Sequence, residues 1–291
     1  MFTLKDFDIK LINKDEVWNF IERQGRFSAV CYNTNTKYAE KVGESCLQSG
    51  HLSGSRHLYM VFELKNIPRS AVDQIVRHTQ GFVTNVQSLR YCNKDGKVSI
   101  YIAPELLDSQ YMVKTIKDQE DIVNAQYNYI QTFLKDGGIT GEKADEIART
   151  ILPIGVATEC NIAVNLECLM HLANIRLCTR AELPIRTIVK EMVKQVVEIE
   201  PRYKTYLVPN CEKLGYCPEG NKHSCGRKPT KEEIDKALAL EETEGRRLVP
   251  SRDFSGHGTA VLGIAAGNGR ASGGVNCGVA YESELLVVKM G

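Results

Sequence analysis

Gln74, Arg77 and His78 stand at positions i, i+3 and i+4 of the stretch RSAVDQIVRHTQGFVTNVQSLRY, residues 69–91. On a helix these three side chains project from one side. Val72, Ile75 and Val76 have the spacing of a buried stripe on the other side. Ser70 and Asp73 stand at capping-box spacing, which predicts a helix beginning at Ala71. Gly81 then releases the chain into a polar turn, TNVQS, before Arg90. Two arginines, amides and hydroxyls at close range suit a phosphate and a flat, hydrogen-bonding ring. The alternative reading is an exposed basic helix end.

Further polar groups stand elsewhere. ATECNIAVNLECLMHLANIRLCT, residues 157–179, reads as one long and largely apolar helix. Its Asn165 and Arg176 are eleven residues apart, about three turns, so they share a face with roughly 16 Å between them. Leu169 and Leu172 would form an apolar floor between them. A buried Arg without a partner is strongly disfavoured, so an anionic ligand is its natural counterpart. His51 and Ser53 lie in QSGHLSGSRH, a Gly/Ser-rich turn that lets backbone approach a ligand; His51 could equally cap a helix. Arg149 ends a helix in EIARTILP, where the helix dipole alone explains a cation. Cys211, Cys217, His223 and Cys225 fall within fifteen residues and could hold zinc tetrahedrally. They lack a CxxC knuckle, so reduced cysteines in an ordered tail are the simpler reading.

These residues need a scaffold, and 291 residues can build one large domain or two with a substantial core. A net charge of +1 argues against non-specific binding of nucleic acid or an anionic membrane as the main role, so the arginines must be read locally. No run approaches the ~18 apolar residues of a membrane span, and MFTLKDFDIK is charged too early for a signal peptide. Ten cysteines in an unsecreted chain read as reduced thiols or ligands, and the expected compartment is cytoplasmic.

Pattern then predicts the elements. MFTLKDFDIKLI alternates as a strand, and Asn13 with Glu16 should cap a helix through Val17, Phe20 and Ile21. A helix covers Tyr38 to Leu47, and LYMVFELK is a β-branched and aromatic strand. SLRYC, NKDG and KVSIYIAP read as a hairpin. Helices follow over Asp118 to Lys135, with Ile122, Ala125, Tyr129 and Phe133 on one side, and over GEKADEIARTILP, stopped by Pro153. LPIRTIVKEMVKQVVEI completes the set, with apolar residues at helical spacing. The predicted class is α+β, a small antiparallel sheet packed with helices.

Arg77, His78, Ser88, Arg90 and Tyr91 together resemble the signature of the flavin-dependent thymidylate synthases, an Arg-His pair followed after a Gly-containing turn by Ser-x-Arg-Tyr. Thr79 replaces a second Arg, and Val86, with Gln87 beside it, replaces an acid. Other segments resemble the family in order. The resemblance implies that His51, Ser53, Arg77, His78, Asn165 and His171 contact FAD. It implies that Gln74, Arg77, Gln87, Ser88, Arg90, Arg149 and Arg176 hold deoxyuridine monophosphate (dUMP). Arg176 would be catalytic, favouring the ionised N3 that makes uracil C5 nucleophilic. Methylenetetrahydrofolate supplies the one-carbon unit and NADPH the electrons, and the implied assembly is a homotetramer with sites between subunits. Glu167 and Arg56 each reverse the family's charge, which suggests that they pair with exchanged roles. Ser88 is then a phosphate donor rather than a nucleophile, since no His and carboxylate pair lies nearby in sequence to activate it.

These features assign residues 1–240 to a thymidylate synthase domain. Residues 241–291 differ: SGHGTAVLGIAAGNG resembles the catalytic-histidine region of subtilisin-like serine proteases, with His257 as the would-be base. A matching Asp and Ser are missing from the sequence, so the tail is expected to be a partial α/β protease fragment. Two rival functions are a serine protease, suggested by this one motif, and a non-catalytic nucleotide-binding or metal-binding homologue, made possible by Thr79, Val86 and Glu167.

Overall fold

The computed structural model describes residues 1–33, 36–94 and 96–239. The chain divides into two compact units, Met1–Lys213 and Leu214–Gly291. The protease-like tail, residues 241–291 with His257, lies outside the described residues.

The first unit is built on four antiparallel strands, β1 (Asp8–Leu11), β2 (Tyr59–Pro68), β3 (Phe82–Val86) and β4 (Ala157–Asn165), in the order β1-β2-β4-β3. Register aligns Leu11, Phe62, Ile162 and Thr84 in one row across the sheet. Met60, Phe62 and Leu64 on β2, with Cys160, Ile162 and Val164 on β4, point to the buried side at the period of two that a pleated strand imposes.

The helices are α1 (Lys14–Val17), α2 (Phe20–Tyr32), α3 (Ala39–Gln48), α4 (Arg69–Ile75), α5 (Pro104–Leu107), α6 (Gln110–Asp136), α7 (Glu142–Ala148), α8 (Leu166–Arg176), α9 (Leu183–Ile199), α10 (Asn210–Leu214) and α11 (Lys231–Ala239). Ala71, Val72 and Ile75 of α4, Leu169 and Leu172 of α8, and Ile185, Ile188, Val189, Met192 and Val196 of α9 join the buried side of the sheet in one core. The sheet-and-helix class read from the sequence therefore holds for the first unit.

Several elements differ from their expected form. Residues 157–165 are strand, not the first half of a long helix. Thr158, Cys160, Ile162 and Val164 alternate with more exposed residues, and Asn165 starts the helix by accepting the Cys168 N–H at 2.9 Å. Thr84, Asn85 and Val86 of the expected polar turn TNVQS belong to strand β3, because their backbone completes the β4 ladder. The predicted hairpin after Ser88 is instead a set of turns with isolated bridges, Ile100 to Val156 and Phe2 to Tyr101. Helix α4 begins at Arg69 without a side-chain cap, since the Arg69 and Ser70 N–H groups donate to Val156 and Ile154 carbonyls. Arg77 and His78 fall just past its end. Asn13 binds backbone of Tyr59 and Val61 rather than capping a helix. The strand expected over residues 1–12 shortens to β1.

Helix α6 keeps Ile122, Ala125, Tyr129 and Phe133 on one side, as their spacing indicates, and that side is exposed. Val123, Tyr127 and Leu134 are its buried residues, while Tyr129 is 73% and Phe133 67% exposed, with Ile122 and Tyr111 also outward.

In the second unit Thr230 begins α11 with a reciprocal cap, its hydroxyl taking the Glu233 N–H while the Glu233 carboxylate takes the Thr230 N–H. Among the described residues, no group of three or more His, Cys, Asp or Glu side chains could hold a metal ion. The candidate set Cys211, Cys217, His223 and Cys225 is therefore not gathered into a metal centre.

Candidate functional site

The bend between α4 and β3 meets the bend between β4 and α8. Asn165 donates its N–H to the Gly81 carbonyl at 2.9 Å. Gly81 has φ +68°, and a Cβ there would stand 2.3 Å from the Asn165 side chain, so only glycine fits. The Asn165 amide also reaches the Arg56 carbonyl at 3.4 Å, fixing the 3-10 turn Ser53–His57 beside them. Around this junction an open cavity of about 630 Å³ is walled by Arg56, Arg77, His78, Asn165, Glu167 and His171, with Thr79, Gln80, Gly81 and Cys168 between them.

The wall is rich in cationic and imidazole groups. Its carboxylate, Glu167, is held by Arg56, which donates Nε at 2.6 Å and Nη2 at 3.2 Å. The exchanged pair expected from the sequence thus forms. The His78 and His171 rings meet edge to face at 5.5 Å. Burial, then Arg176, His171 and Arg77, push the His78 pKa down to about 4, so the ring is neutral near pH 7. Arg176 donates to the Gln74 side-chain and backbone oxygens at 3.4 Å, long contacts for a guanidinium. Burial and the neighbouring Arg77 lower its pKa. Among the described residues, Arg176 Nε and His78 Nε2 are buried with no hydrogen-bond partner, a deficit that a polar ligand, anionic on the Arg176 side, would relieve.

His51 and Ser53 are exposed in the turn leading to this wall without belonging to it. Gln74 and Arg176, which contact each other, do not line the cavity, and neither do Gln87, Ser88, Arg90 and Arg149. Gln87 follows Gly81 by six residues, five of them in β3, about 20 Å of extended chain. At that far end Arg90 pairs with Glu142, and with Glu146 at 3.3 Å, and lies over the Tyr91 ring. Glu146 also senses the charge of Arg149. One chain therefore carries two polar groups at opposite ends of β3. Glu142, Glu146 and Lys94 were not anticipated; the i, i+4 acids ahead of Arg149 were the signal that could have revealed the first two.

The family model described as thymidylate synthase complementing protein matches residues 18–202. A flavin-dependent thymidylate synthase of Nitratidesulfovibrio vulgaris is 33% identical over 192 residues, covering 65% of this chain and 77% of the relative. One from Clostridium tetani is 32% identical over 188 residues, covering 61% and 73%. Among solved structures, the UMP/dUMP methylase PolB from Streptomyces cacaoi bound with 5-Br dUMP aligns with a TM-score of 0.54 at 18% identity, over 72% of this chain and 99% of that one. At that identity the likeness concerns the fold alone.

Proposed function

Since this chain belongs to the thymidylate synthase complementing protein family, we propose that its cavity and its second polar group together carry out the reductive methylation of dUMP to dTMP. The protein is a flavin-dependent thymidylate synthase, a methyltransferase that uses FAD, with NADPH and methylenetetrahydrofolate as co-substrates. The observation that carries this reading is the unsatisfied polar capacity at and behind the cavity: among the described residues, His78 Nε2 in the wall and Arg176 Nε behind it, close to Arg77, are buried without hydrogen-bond partners.

The donor set fits FAD. When bound, the flavin supplies the hydride that completes the new methyl group. Arg77, His78, Asn165 and His171 would hold it, with His51 and Ser53 reaching in from the adjoining turn. Arg176 is assigned to the pyrimidine, where a fixed cation favours the ionised ring and so raises the nucleophilicity of C5. Gln74 orients that guanidinium through its two oxygens. Neutral His78 adds a ring against the ligand without another charge. Ser88, Arg90, Gln87 and Arg149 are assigned to the nucleotide as well. Their place at the other end of β3 supports a role in the cavity of a neighbouring copy. The outward stripe of Tyr111, Ile122, Tyr129 and Phe133 on α6 supports such an assembly, a homotetramer in this reading. No helix among the described residues is long and apolar enough to cross a membrane, and the cytoplasm remains the assigned compartment.

Purified protein should be yellow, release FAD on denaturation, and release tritium from dUMP labelled at C5. A colourless protein that cannot be loaded with FAD would sink the reading.

A further inference from the structure

Lys94 is a cation of the second polar group that makes no direct contact with a carboxylate among the described residues, Glu159 acting on it only through space. Its ammonium donates to Gln87 Oε1 at 3.0 Å and lies 3.5 Å from the Ala157 carbonyl, and among the described residues it forms no ion pair. Its position is fixed from behind. The Lys94 N–H reaches the hydroxyl of Tyr127 at 3.4 Å, and that phenol, fully buried on α6, contacts Asp145. Gln87 is held as firmly, since its N–H donates to the Glu159 carbonyl at 2.9 Å as the ladder ends.

A carboxamide can turn either its oxygen or its NH2 outward, and the two orientations differ little in shape. An ammonium only donates, so beside Lys94 the oxygen must face inward and Nε2 outward. We propose that Lys94 is a positioning residue that locks Gln87 as a hydrogen-bond donor toward an acceptor oxygen of the bound nucleotide. The neighbours agree with that polarity. The Ser88 oxygen accepts the Arg90 N–H at 3.3 Å, leaving its hydroxyl hydrogen to donate outward, and Arg90 has donors only. The loop from Gln87 to Lys94 thus offers donors to an oxygen-rich ligand and excludes a donor group at the same place.

This inference rests on the assignment of Gln87 to the nucleotide, and calorimetric binding of dUMP to the full-length protein separates the two. Wild-type protein that fails to bind dUMP overturns the functional reading itself. Given wild-type binding, Lys94→Met should weaken dUMP about tenfold with FAD affinity unchanged, and Lys94→Arg should restore it to within about threefold. In the Lys94→Met background, Gln87→Leu should add no further loss. Lys94→Met binding as tightly as wild type, or penalties of Lys94→Met and Gln87→Leu that add in full, overturns the proposal. Should Lys94→Met not fold, Gln87→Glu carries the test: the carboxylate keeps Lys94 but offers no donor, so affinity should fall about tenfold, and unchanged affinity overturns the proposal. A penalty seen with both dUMP and deoxyuridine puts the contacted oxygen on the ring, and one seen with dUMP alone puts it on the phosphate; either supports the lock.

Discussion

Arg56 and Glu167 meet across the mouth of the cavity through two hydrogen bonds, Nε to Oε2 at 2.6 Å and Nη2 to Oε1 at 3.2 Å, although 111 residues separate them. The pair ties the 3-10 turn Ser53–His57 to the first turn of α8, where a carboxylate also complements the helix dipole. Geometry of this forked kind depends on opposite charge and on both partners being present, but not on which side carries which sign.

Charge reversal tests that relationship. Arg56→Glu and Glu167→Arg should each lower FAD affinity on the order of tenfold, by placing like charges face to face. The double exchange should return affinity to within about threefold of wild type. Because both side chains are substantially exposed, the single-variant losses should shrink as salt is raised. Flavin fluorescence titration reads all of these, and equal losses in all three variants would rule out the exchange.

Arg176 provides a sharper separation between binding and turnover. Its guanidinium is half-buried, held by Gln74 through long contacts, with Nε unpartnered. Arg176→Ala should retain FAD yet lower kcat/KM for dUMP at least about a hundredfold, as expected when a donor aimed at developing charge is removed. Arg176→Lys should recover little, since one ammonium cannot reproduce the planar fork. Normal turnover of Arg176→Ala in the tritium-release assay would show that the role belongs elsewhere.

Much of this site was legible in the sequence, and the reasons for the misses are local. Arg77, His78, Asn165, Glu167 and His171 were anticipated, and all line one cavity. The helix spacing used to relate Gln74 to Arg77 and His78 was not the cause of their proximity, since α4 ends at Ile75. Residues 157–165 read as helix because the whole run to Thr179 is apolar and its period of two is short. Only the pairing with β2 and β3 distinguishes it. The Arg90 and Arg149 group was predicted to converge with Arg77 and Arg176. The length of β3 between them keeps the two groups apart within one chain, a separation that residue spacing alone does not reveal because it depends on how the strand pairs.

The pH dependence of stability follows from His78, whose pKa falls from 6.5 to about 4 through burial and then the charges of Arg176, His171 and Arg77. In the unfolded chain the ring takes its proton near pH 6.5, whereas in the folded protein it does so only near pH 4. The unfolded state therefore binds more protons across that window, and folding is progressively disfavoured as pH drops through it. His78→Gln should flatten this part of the curve, leaving a smaller fall in Tm between pH 6.5 and 4 than in wild type. An unchanged slope would mean that another group dominates acid sensitivity.

The final prediction concerns the two polar groups that one chain keeps apart. If Ser88, Arg90 and Arg149 serve a neighbour's cavity, activity requires assembly, and the outward face of α6 is where apolar surface is available for it. Tyr129 and Phe133 are four residues apart on that face, at 73% and 67% exposure, so carboxylates there would be desolvated in any interface that covers them. Tyr129→Glu with Phe133→Glu should reduce the particle to a smaller species in sedimentation velocity and lower turnover at least about tenfold. FAD binding should survive in part, because Arg77, His78, Asn165 and His171 belong to one chain. The buried residues of α6, Val123, Tyr127 and Leu134, are untouched, so the helix itself should remain folded by circular dichroism. A wild-type protein that sediments as a monomer with full activity would disprove the shared site, since no rearrangement of side chains can carry Arg90 past the length of β3.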